Sequence, residues 1–217
     1  MASAITIWTF DWVPEMPRGF VRDLRLRWAC EEAGFDYVVR TVAADGPEPA
    51  HLARQPFGQV PFLDDGDLRM FESGAALLHL ARKSEALMPR DPQGEAEVTQ
   101  WIVAALNSIE MVSIPYWYLG VTGGEPASLK PWLEKRLGQL EAVLQKRDWL
   151  AADRFTAADL LMADVLRLEE VRALGDRPAT NAFVDRILSR PGFMKAEADQ
   201  LAHFEAAEQA RKEESHG

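Results

Sequence analysis

Residues 58–63, Gly-Gln-Val-Pro-Phe-Leu, constrain the fold more than any other segment of this chain. The apolar run from Val60 to Leu63 predicts a short strand, and Pro61 sits near its start. Because proline has no N–H to give to a strand ladder, it is found at the first position of a strand or on a sheet edge. We therefore expect the backbone of Val60 to be free to pair with a partner outside the sheet.

A second strand and a helix follow directly. Turn residues 64–67 separate the first strand from a second at residues 68–71, a spacing typical of a hairpin. Glu72 and Ser73 stand where the second strand ends and an apolar helix begins. A helix start offers unpaired N–H groups and the positive end of the helix dipole, and Ser and Glu add side-chain oxygens. This corner suits the amino and carboxylate groups of a small zwitterion.

This combination resembles the glutathione site of the glutathione transferase family. In that family a Val-Pro with a cis-proline pairs with the cysteinyl backbone of glutathione, and a Glu-Ser at the third helix start binds its γ-glutamyl group. The resemblance implies that Val60, Pro61, Glu72 and Ser73 bind glutathione, with Gln59 at its glycyl end. The alternatives are a trans edge proline, an ordinary helix start and a solvated loop glutamine.

The first third of the chain fits the same family. Strands are predicted at residues 4–10 and 37–42, and a helix at residues 19–33 ends at Gly34. A loop with one short helix is expected over residues 44–59. The resemblance implies an α/β thioredoxin-like domain over residues 1–84, of order βαβ-ββα, with a mixed four-stranded sheet.

The sequence after residue 84 predicts an all-α helical bundle. Residues 85–92 are expected to form a linker, and residues 93–217 a helical domain that forms the electrophile pocket. A helical stretch over residues 93–119 should bend or end at Pro115. A helix over residues 128–150 carries an apolar stripe of four leucines, Leu133, Leu137, Leu140 and Leu144. Three further helices are predicted at residues 157–173, 179–189 and 193–214.

The strongest purely structural signal begins one of these helices. Thr156 is predicted to cap it, with Asp159 as the partner in a capping box. Phe155 and Leu160 occupy the positions of a hydrophobic staple. We expect this segment to serve folding and not chemistry.

The thiol-activating residue is where the sequence departs from the family pattern. Family members usually carry Tyr, Ser or Cys near the end of the first strand or the start of the first helix, whereas residues 18–23 read Arg-Gly-Phe-Val-Arg-Asp. An electropositive helix start can lower the pKa of a thiol without a dedicated donor. The candidates are therefore the backbone N–H groups of residues 19–21 and the charges of Arg18 and Arg22. The alternative is that these arginines form surface ion pairs with acidic neighbours, namely Asp11, Glu15 and Asp23.

An aromatic cluster surrounds Pro115. The resemblance implies that this part of the helical domain forms the hydrophobic co-substrate pocket, and that a side chain of the first loop approaches it from the other side. The residues implied are Trp12, Met111, Ile114, Tyr116 and Trp117. The alternative is that the aromatic side chains belong to the core, as such stripes at helical spacing commonly do.

Composition narrows the classes of partner. The net charge of −10 argues against nucleic acid and anionic membrane surfaces as partners. The single cysteine, Cys30, offers no intrachain disulfide and suits a small buried apolar position in a reducing compartment. The four scattered histidines give no metal-ligand spacing, so no metal is expected. No basic, apolar leader and no bilayer-length apolar run is visible, and we expect a cytoplasmic protein.

The leading hypothesis is a glutathione transferase that uses glutathione as co-substrate and conjugates its thiolate to a hydrophobic electrophile. The family implies a homodimer and a role in detoxification. The missing Tyr, Ser or Cys leaves two alternatives open. One is a non-catalytic glutathione-binding, ligand-binding or protein-interaction module on the same fold. The other is a different glutathione-dependent reaction, such as isomerisation, dehalogenation or peroxide reduction.

Overall fold

The computed structural model describes the backbone of residues 5–216 and the side chains of residues 5–214. Ala4, where the first strand is predicted to start, lies outside this range. The described residues form two compact units. The first runs to Leu80 and resumes at Pro191, and the second covers Ala81–Arg190. That residues 85–92 link two domains stays a prediction.

The first unit contains a mixed four-stranded sheet. Its strands are β1 (Ile5–Phe10), β2 (Tyr37–Val42), β3 (Phe62–Asp65) and β4 (Leu68–Phe71). The order across the sheet is β2-β1-β3-β4. β1 pairs with β2 in parallel, whereas the β1–β3 and β3–β4 pairs are antiparallel. The fold class predicted for this part of the chain is confirmed.

The strand predicted from Val60 to Leu63 is shifted. β3 begins at Phe62, directly after the proline, and continues through the two aspartates to Asp65. The turn is consequently shorter than the predicted four residues and consists of Gly66 and Asp67. Gly66 has a φ of 64°, in the left-handed region that a two-residue hairpin turn requires.

The helices of the first unit are α1 (Asp23–Ala33), α2 (Pro49–Leu52), α10 (Pro191–His216) and α3 (Ser73–Arg82), whose last two residues are assigned to the second unit. The prediction that the first helix starts at Gly19 is wrong. Turn bonds from the amides of Arg18 and Phe20 to the carbonyls of Glu15 and Pro17 precede it, and Gly19 itself has a φ of 80°. A left-handed residue cannot be part of a right-handed helix, which excludes Gly19, and α1 begins at Asp23.

Alternation along β1 directs one face of the sheet into the core. Ile5, Ile7 and Thr9 are buried, whereas the residues between them are partly exposed. α1 and α10 pack together through an edge-to-face contact of Trp28 with Phe193, whose ring centroids are 4.8 Å apart. Gly34 ends α1 in the left-handed conformation, as predicted. The other fully buried large side chains of this unit include Phe62, Phe204, Leu24, Leu26, Leu63, Leu77 and Leu80.

The second unit is entirely helical among the described residues. Its helices are α4 (Pro92–Ala104), α5 (Met111–Val121), α6 (Lys130–Leu144), α7 (Ala157–Leu166), α8 (Glu169–Arg172) and α9 (Pro178–Leu188). The stretch predicted to bend or end at Pro115 instead changes geometry earlier, in the π-helical segment Ala105–Glu110. Pro115 lies inside α5, and the chain stays helical through it. The helix predicted over residues 157–173 is divided into α7 and α8.

The core of the second unit surrounds α7, in which all ten residues are buried. The four leucines of the predicted stripe on α6 are also buried. The predicted capping box is present, because the side chains of Thr156 and Asp159 bond reciprocally to the backbone at the start of α7. Asp159 also accepts a hydrogen bond from the Leu150 amide at 2.8 Å. One carboxylate therefore ties the start of this helix to the preceding loop.

Candidate functional site

The edge beside β3 carries the first part of the site. The Val60–Pro61 peptide bond is cis. Val60 is half-buried, and within residues 5–216 neither its amide nor its carbonyl takes part in a hydrogen bond. The main-chain donor and acceptor of Val60 are therefore unpaired at the end of the strand.

Two buried side chains, those of Gln55 and His51, hold the backbone of the loop before this edge by hydrogen bonds. Gln55 Oε1 accepts from the amides of Phe57 and Gln59, at 2.6 and 3.2 Å. His51 Nε2 donates to the Gln59 carbonyl at 2.9 Å. The backbone of Gln59 is thus fixed, while its side chain is exposed.

Glu72 and Ser73 form the second part of the site at the start of α3. Glu72 is exposed and has a φ of 72°, a left-handed conformation that costs a non-glycine residue roughly 1–3 kcal/mol. Its carbonyl accepts the first helical bond, from the Ala76 amide at 2.9 Å. Ser73 is the first residue of α3 and is buried. The conformation of Glu72 turns the chain from the strand into the helix at this corner.

The register of the hairpin brings the two parts to the same end of the sheet. Phe62, the first residue of β3, pairs with Phe71, the last residue of β4. Pro61 immediately precedes one member of this pair, and Glu72 immediately follows the other. Residues 59–61 and 72–73 therefore lie together, as residues of one ligand site must.

Sequence reasoning missed one residue of this corner. Arg25 lies in α1, is 3% exposed, and donates from Nη1 to Ser73 Oγ at 3.1 Å. A guanidinium can only donate, so Ser73 Oγ accepts this bond and keeps its own hydrogen for another acceptor. The signal available in the sequence was an arginine between Leu24 and Leu26, since arginine is rarely buried without a polar partner.

Side chains of the protein itself make the hydrogen bonds at the first turn of α1. Asp23 is fully buried and accepts from Arg27 Nε at 2.7 Å and from Gln200 Nε2 at 2.6 Å. Burial raises the pKa of the Asp23 carboxyl, and the charge and hydrogen bond of Arg27 oppose that rise. Thr9, the nearest hydroxyl of β1, is also fully buried and does not reach a surface ligand.

Arg18 and Trp12 are both engaged by one acidic residue of α10. Glu208 accepts from Trp12 Nε1 at 2.7 Å and from Arg18 Nη2 at 2.9 Å. These bonds, together with one from Lys212, lower the pKa of the partly buried Glu208 carboxyl to about 2. Arg18 also donates to the Val13 carbonyl. Its ion pair is therefore with Glu208 and not with the neighbours expected from the sequence.

Arg22 lies directly before α1, and the predicted aromatic cluster lies on α5. Arg22 is the residue before α1, and its side chain does not cap the helix. Met111 is 52% exposed on α5, and its three neighbours in the prediction, Ile114, Tyr116 and Trp117, are partly buried on the same helix. The co-substrate pocket that joins them to Trp12 stays a prediction.

Residues 5–214 offer neither a metal site nor a membrane-spanning helix. No group of three or more histidine, cysteine or acidic side chains there could hold a metal ion. None of the helices described is both long enough and apolar enough to cross a bilayer. Cys30 is buried, as expected from its place in α1.

Comparison with known proteins places the chain in a family. The model described as "Glutathione S-transferase, N-terminal domain" matches residues 17–82, and "Glutathione S-transferase, C-terminal domain" matches residues 123–191. "Glutathione S-transferase 1" of Zea mays is 35% identical over 80% of this chain and 90% of its own length. This chain belongs to the glutathione transferase family.

Further relatives agree with this assignment. "Glutathione S-transferase" of Hyoscyamus muticus is 31% identical over 73% of this chain and 82% of its own length. The structure of maize glutathione S-transferase I in complex with an atrazine glutathione conjugate is 28% identical, with a TM-score of 0.75 over 92% of this chain and 99% of that one. The predictions of family, fold and enzyme class are confirmed. The roles of individual residues stay predictions.

Proposed function

We propose that this glutathione transferase binds glutathione along the Val60 backbone and at the Glu72–Ser73 corner. The observation that carries the proposal is the pairing of Phe62 with Phe71, because it sets an unpaired strand edge beside a helix start. The cysteinyl backbone of glutathione would pair with the Val60 amide and carbonyl. Gln59 would meet the glycyl end.

The γ-glutamyl group would occupy the corner. Its carboxylate accepts from Ser73 Oγ and from N–H groups at the start of α3, where the helix dipole favours an anion. Its ammonium meets the exposed carboxylate of Glu72. The bond from Arg25 to Ser73 Oγ supports this arrangement, since it leaves the serine hydrogen to the ligand.

The thiol of glutathione would be stabilised as a thiolate by the segment before α1. Amide groups of residues 19–22 and the charges of Arg18 and Arg22 are the groups proposed. A positioned thiolate then attacks a hydrophobic electrophile, and gains from both orientation and the lowered pKa. Met111, Ile114, Tyr116, Trp117 and Trp12 are proposed to contact that electrophile. A cytoplasmic homodimer acting in detoxification is proposed as the setting.

Retention on immobilised glutathione, followed by a conjugation assay with an activated aryl halide, tests this function. The Ser73→Ala variant should lose retention and activity, because the γ-glutamyl carboxylate loses a donor. Ser128→Ala, at an exposed serine of the second unit, is the matched control and should behave as the unaltered protein. An unaltered protein that is not retained would contradict the proposal.

A second candidate is a glutathione-binding module without conjugating activity. It is favoured by the occupied start of α1, where Asp23 fills the first turn, and by the engagement of Arg18 with Glu208. Retention on immobilised glutathione without turnover of the aryl halide would support this reading. Turnover would exclude it.

A further inference from the structure

Three polar residues of α10 contact the chain between the end of β1 and the start of α1. Glu208 binds the first loop as described above, and His203 donates from Nε2 to the Phe10 carbonyl at 3.1 Å. Gln200 makes the third contact, at the start of α1, and is fully buried. The helix α10 therefore packs along the segment proposed to stabilise the thiolate, and Gln200 reaches the residues nearest to α1.

The side-chain amide of Gln200 holds two groups at the start of α1. Its Nε2 lies 2.9 Å from the Val21 carbonyl oxygen and 2.6 Å from Asp23 Oδ1. A carbonyl oxygen can only accept, so the NH2 group of Gln200, and not its amide oxygen, faces this pair. The Asp23 carboxyl is held in turn by Arg27 Nε at 2.7 Å. The Val21 carbonyl also accepts from the Leu24 amide at 3.0 Å, so two donors fix its direction.

The direction of this carbonyl determines the direction of the next amide. Within the described part of the chain the one cis peptide bond is Val60–Pro61, so the bond between Val21 and Arg22 is trans. In a trans peptide the N–H points opposite to the C=O. Since the Val21 carbonyl points to the buried Gln200, the Arg22 N–H points away from it. Both Val21 and Arg22 are half-buried, and so lie where the interior of the unit meets its surface.

We propose that Gln200 is a positioning residue for the thiol chemistry: it holds the Val21–Arg22 peptide so that the Arg22 N–H faces the sulfur of bound glutathione. This inference rests on the proposed function, which assigns the thiolate to amides of residues 19–22. A donor that is fixed before charge develops at the sulfur needs no reorganisation during the reaction. A main-chain donor oriented from another helix also accounts for a helix start without Tyr, Ser or Cys.

Gln200→Met tests this role, because it removes the donor and keeps a side chain of similar length. We expect the pKa of the bound glutathione thiol, measured by thiolate absorbance against pH, to rise by about one pH unit. The affinity for glutathione with a protonated thiol should stay the same, since Val60 and Ser73 are untouched. Gln209→Met, at an exposed glutamine of the same helix, is the control and should change neither quantity. A purely structural role of Gln200 would lower the free energy of unfolding and leave the thiol pKa unchanged.

Arg22→Pro and Arg22→Ala test the amide itself. Arg22 has a φ of −69°, which proline can adopt, and proline has no N–H. Both variants lose the guanidinium, but only Arg22→Pro loses the amide hydrogen. The thiol pKa should therefore be higher in Arg22→Pro than in Arg22→Ala, by about one pH unit.

The outcomes distinguish this inference from the proposed function. An unaltered protein that does not bind glutathione would overturn both, and one that binds it without lowering the thiol pKa would overturn the thiolate stabilisation on which the inference rests. A lowered thiol pKa that Gln200→Met leaves unchanged would overturn the positioning role alone. If Gln200→Met does not fold, the Arg22 pair decides, and equal thiol pKa values in Arg22→Pro and Arg22→Ala would overturn the positioning role.

Discussion

Arg25 in α1 donates a hydrogen bond of 3.1 Å to Ser73 Oγ at the start of α3, and both residues are buried. This bond connects the first helix of the glutathione transferase to the corner proposed for the γ-glutamyl group. Because the guanidinium only donates, it determines which way the serine hydroxyl points. We therefore expect Arg25 to be a positioning residue that acts through Ser73.

Arg25→Met and Ser73→Ala should each weaken glutathione binding by about tenfold, since each removes one side of the same hydrogen bond. The double variant should lose less than the sum of the two, with a coupling free energy of about 1 kcal/mol. Calorimetric titration of glutathione against the four proteins measures this coupling. Arg69→Met, at an exposed arginine of β4, is the control. Strictly additive losses would show that the bond does not orient Ser73 for the ligand.

Glu72→Gly should weaken glutathione binding without lowering the free energy of unfolding. Glycine relieves the left-handed strain at a φ of 72°, so the free energy of unfolding should stay equal or rise by up to about 1 kcal/mol. Loss of the carboxylate should weaken glutathione binding by about tenfold or more, as expected for a lost charge-assisted bond. Urea unfolding and calorimetric titration measure the two quantities.

Asp153→Gly is the matched control for that variant. Asp153 is an exposed acidic residue with a φ of 49°, and it lies in the second unit. Its replacement should have a similar effect on stability and leave glutathione affinity unchanged. An equal loss of affinity in both variants would remove Glu72 from the site.

The Asp159 carboxylate should make the stability of the protein depend on pH. Burial raises the pKa of Asp159 from 3.8 to about 6, although hydrogen bonds from Leu150 and Thr156 oppose the rise. The folded state therefore binds a proton more tightly than the unfolded state. The resulting stabilisation is complete below about pH 4 and is lost as the pH rises through about 6. At about 1.4 kcal/mol per pKa unit, the contribution is about 3 kcal/mol.

Comparison with Asp159→Asn isolates this contribution. Asparagine keeps one acceptor but loses the second, so the variant should be less stable by roughly 1–3 kcal/mol from the unpaired backbone amide. The difference in unfolding free energy between the two proteins should narrow as the pH rises from about 4 to about 7. A difference that stays constant over this range would show that Asp159 does not titrate there.

The ion pair of Arg18 with Glu208 should determine how strongly the positive charge of Arg18 stabilises the thiolate of bound glutathione. Glu208 has a pKa of about 2 and is ionised above about pH 4. Over that pH range its negative charge offsets the positive charge of the Arg18 guanidinium. Glu208→Gln should therefore lower the pKa of bound glutathione, and Arg18→Met should raise it only slightly. The ultraviolet absorbance of the thiolate against pH measures both. If neither variant moves the thiol pKa, Arg18 is not near the sulfur.

Local chemistry explains which elements could be predicted. β2 and β4 have the predicted bounds, because a glycine and an aspartate stand within the three residues before each strand and mark where it begins. The Thr156–Asp159 box was predictable because its bonds join residues three apart. The start of α1 could not be predicted, since no pattern of apolar residues distinguishes two successive turns from the first turn of a helix.

Contacts between distant segments explain what could not be predicted. Arg25 meets Ser73 across 48 positions of sequence, and Trp12 meets Glu208 across 196. No local periodicity encodes such partners. The sequence therefore predicted the residues beside the hairpin, but it assigned neither the support of Ser73 nor the ion pair of Arg18.

A crystal structure of the protein with glutathione tests the central claim most directly. The proposal predicts hydrogen bonds of the cysteinyl backbone with the amide and carbonyl of Val60, and a γ-glutamyl carboxylate within hydrogen-bond distance of Ser73 Oγ. Glutathione bound elsewhere, or a Val60 edge covered by other atoms of the chain, would contradict it.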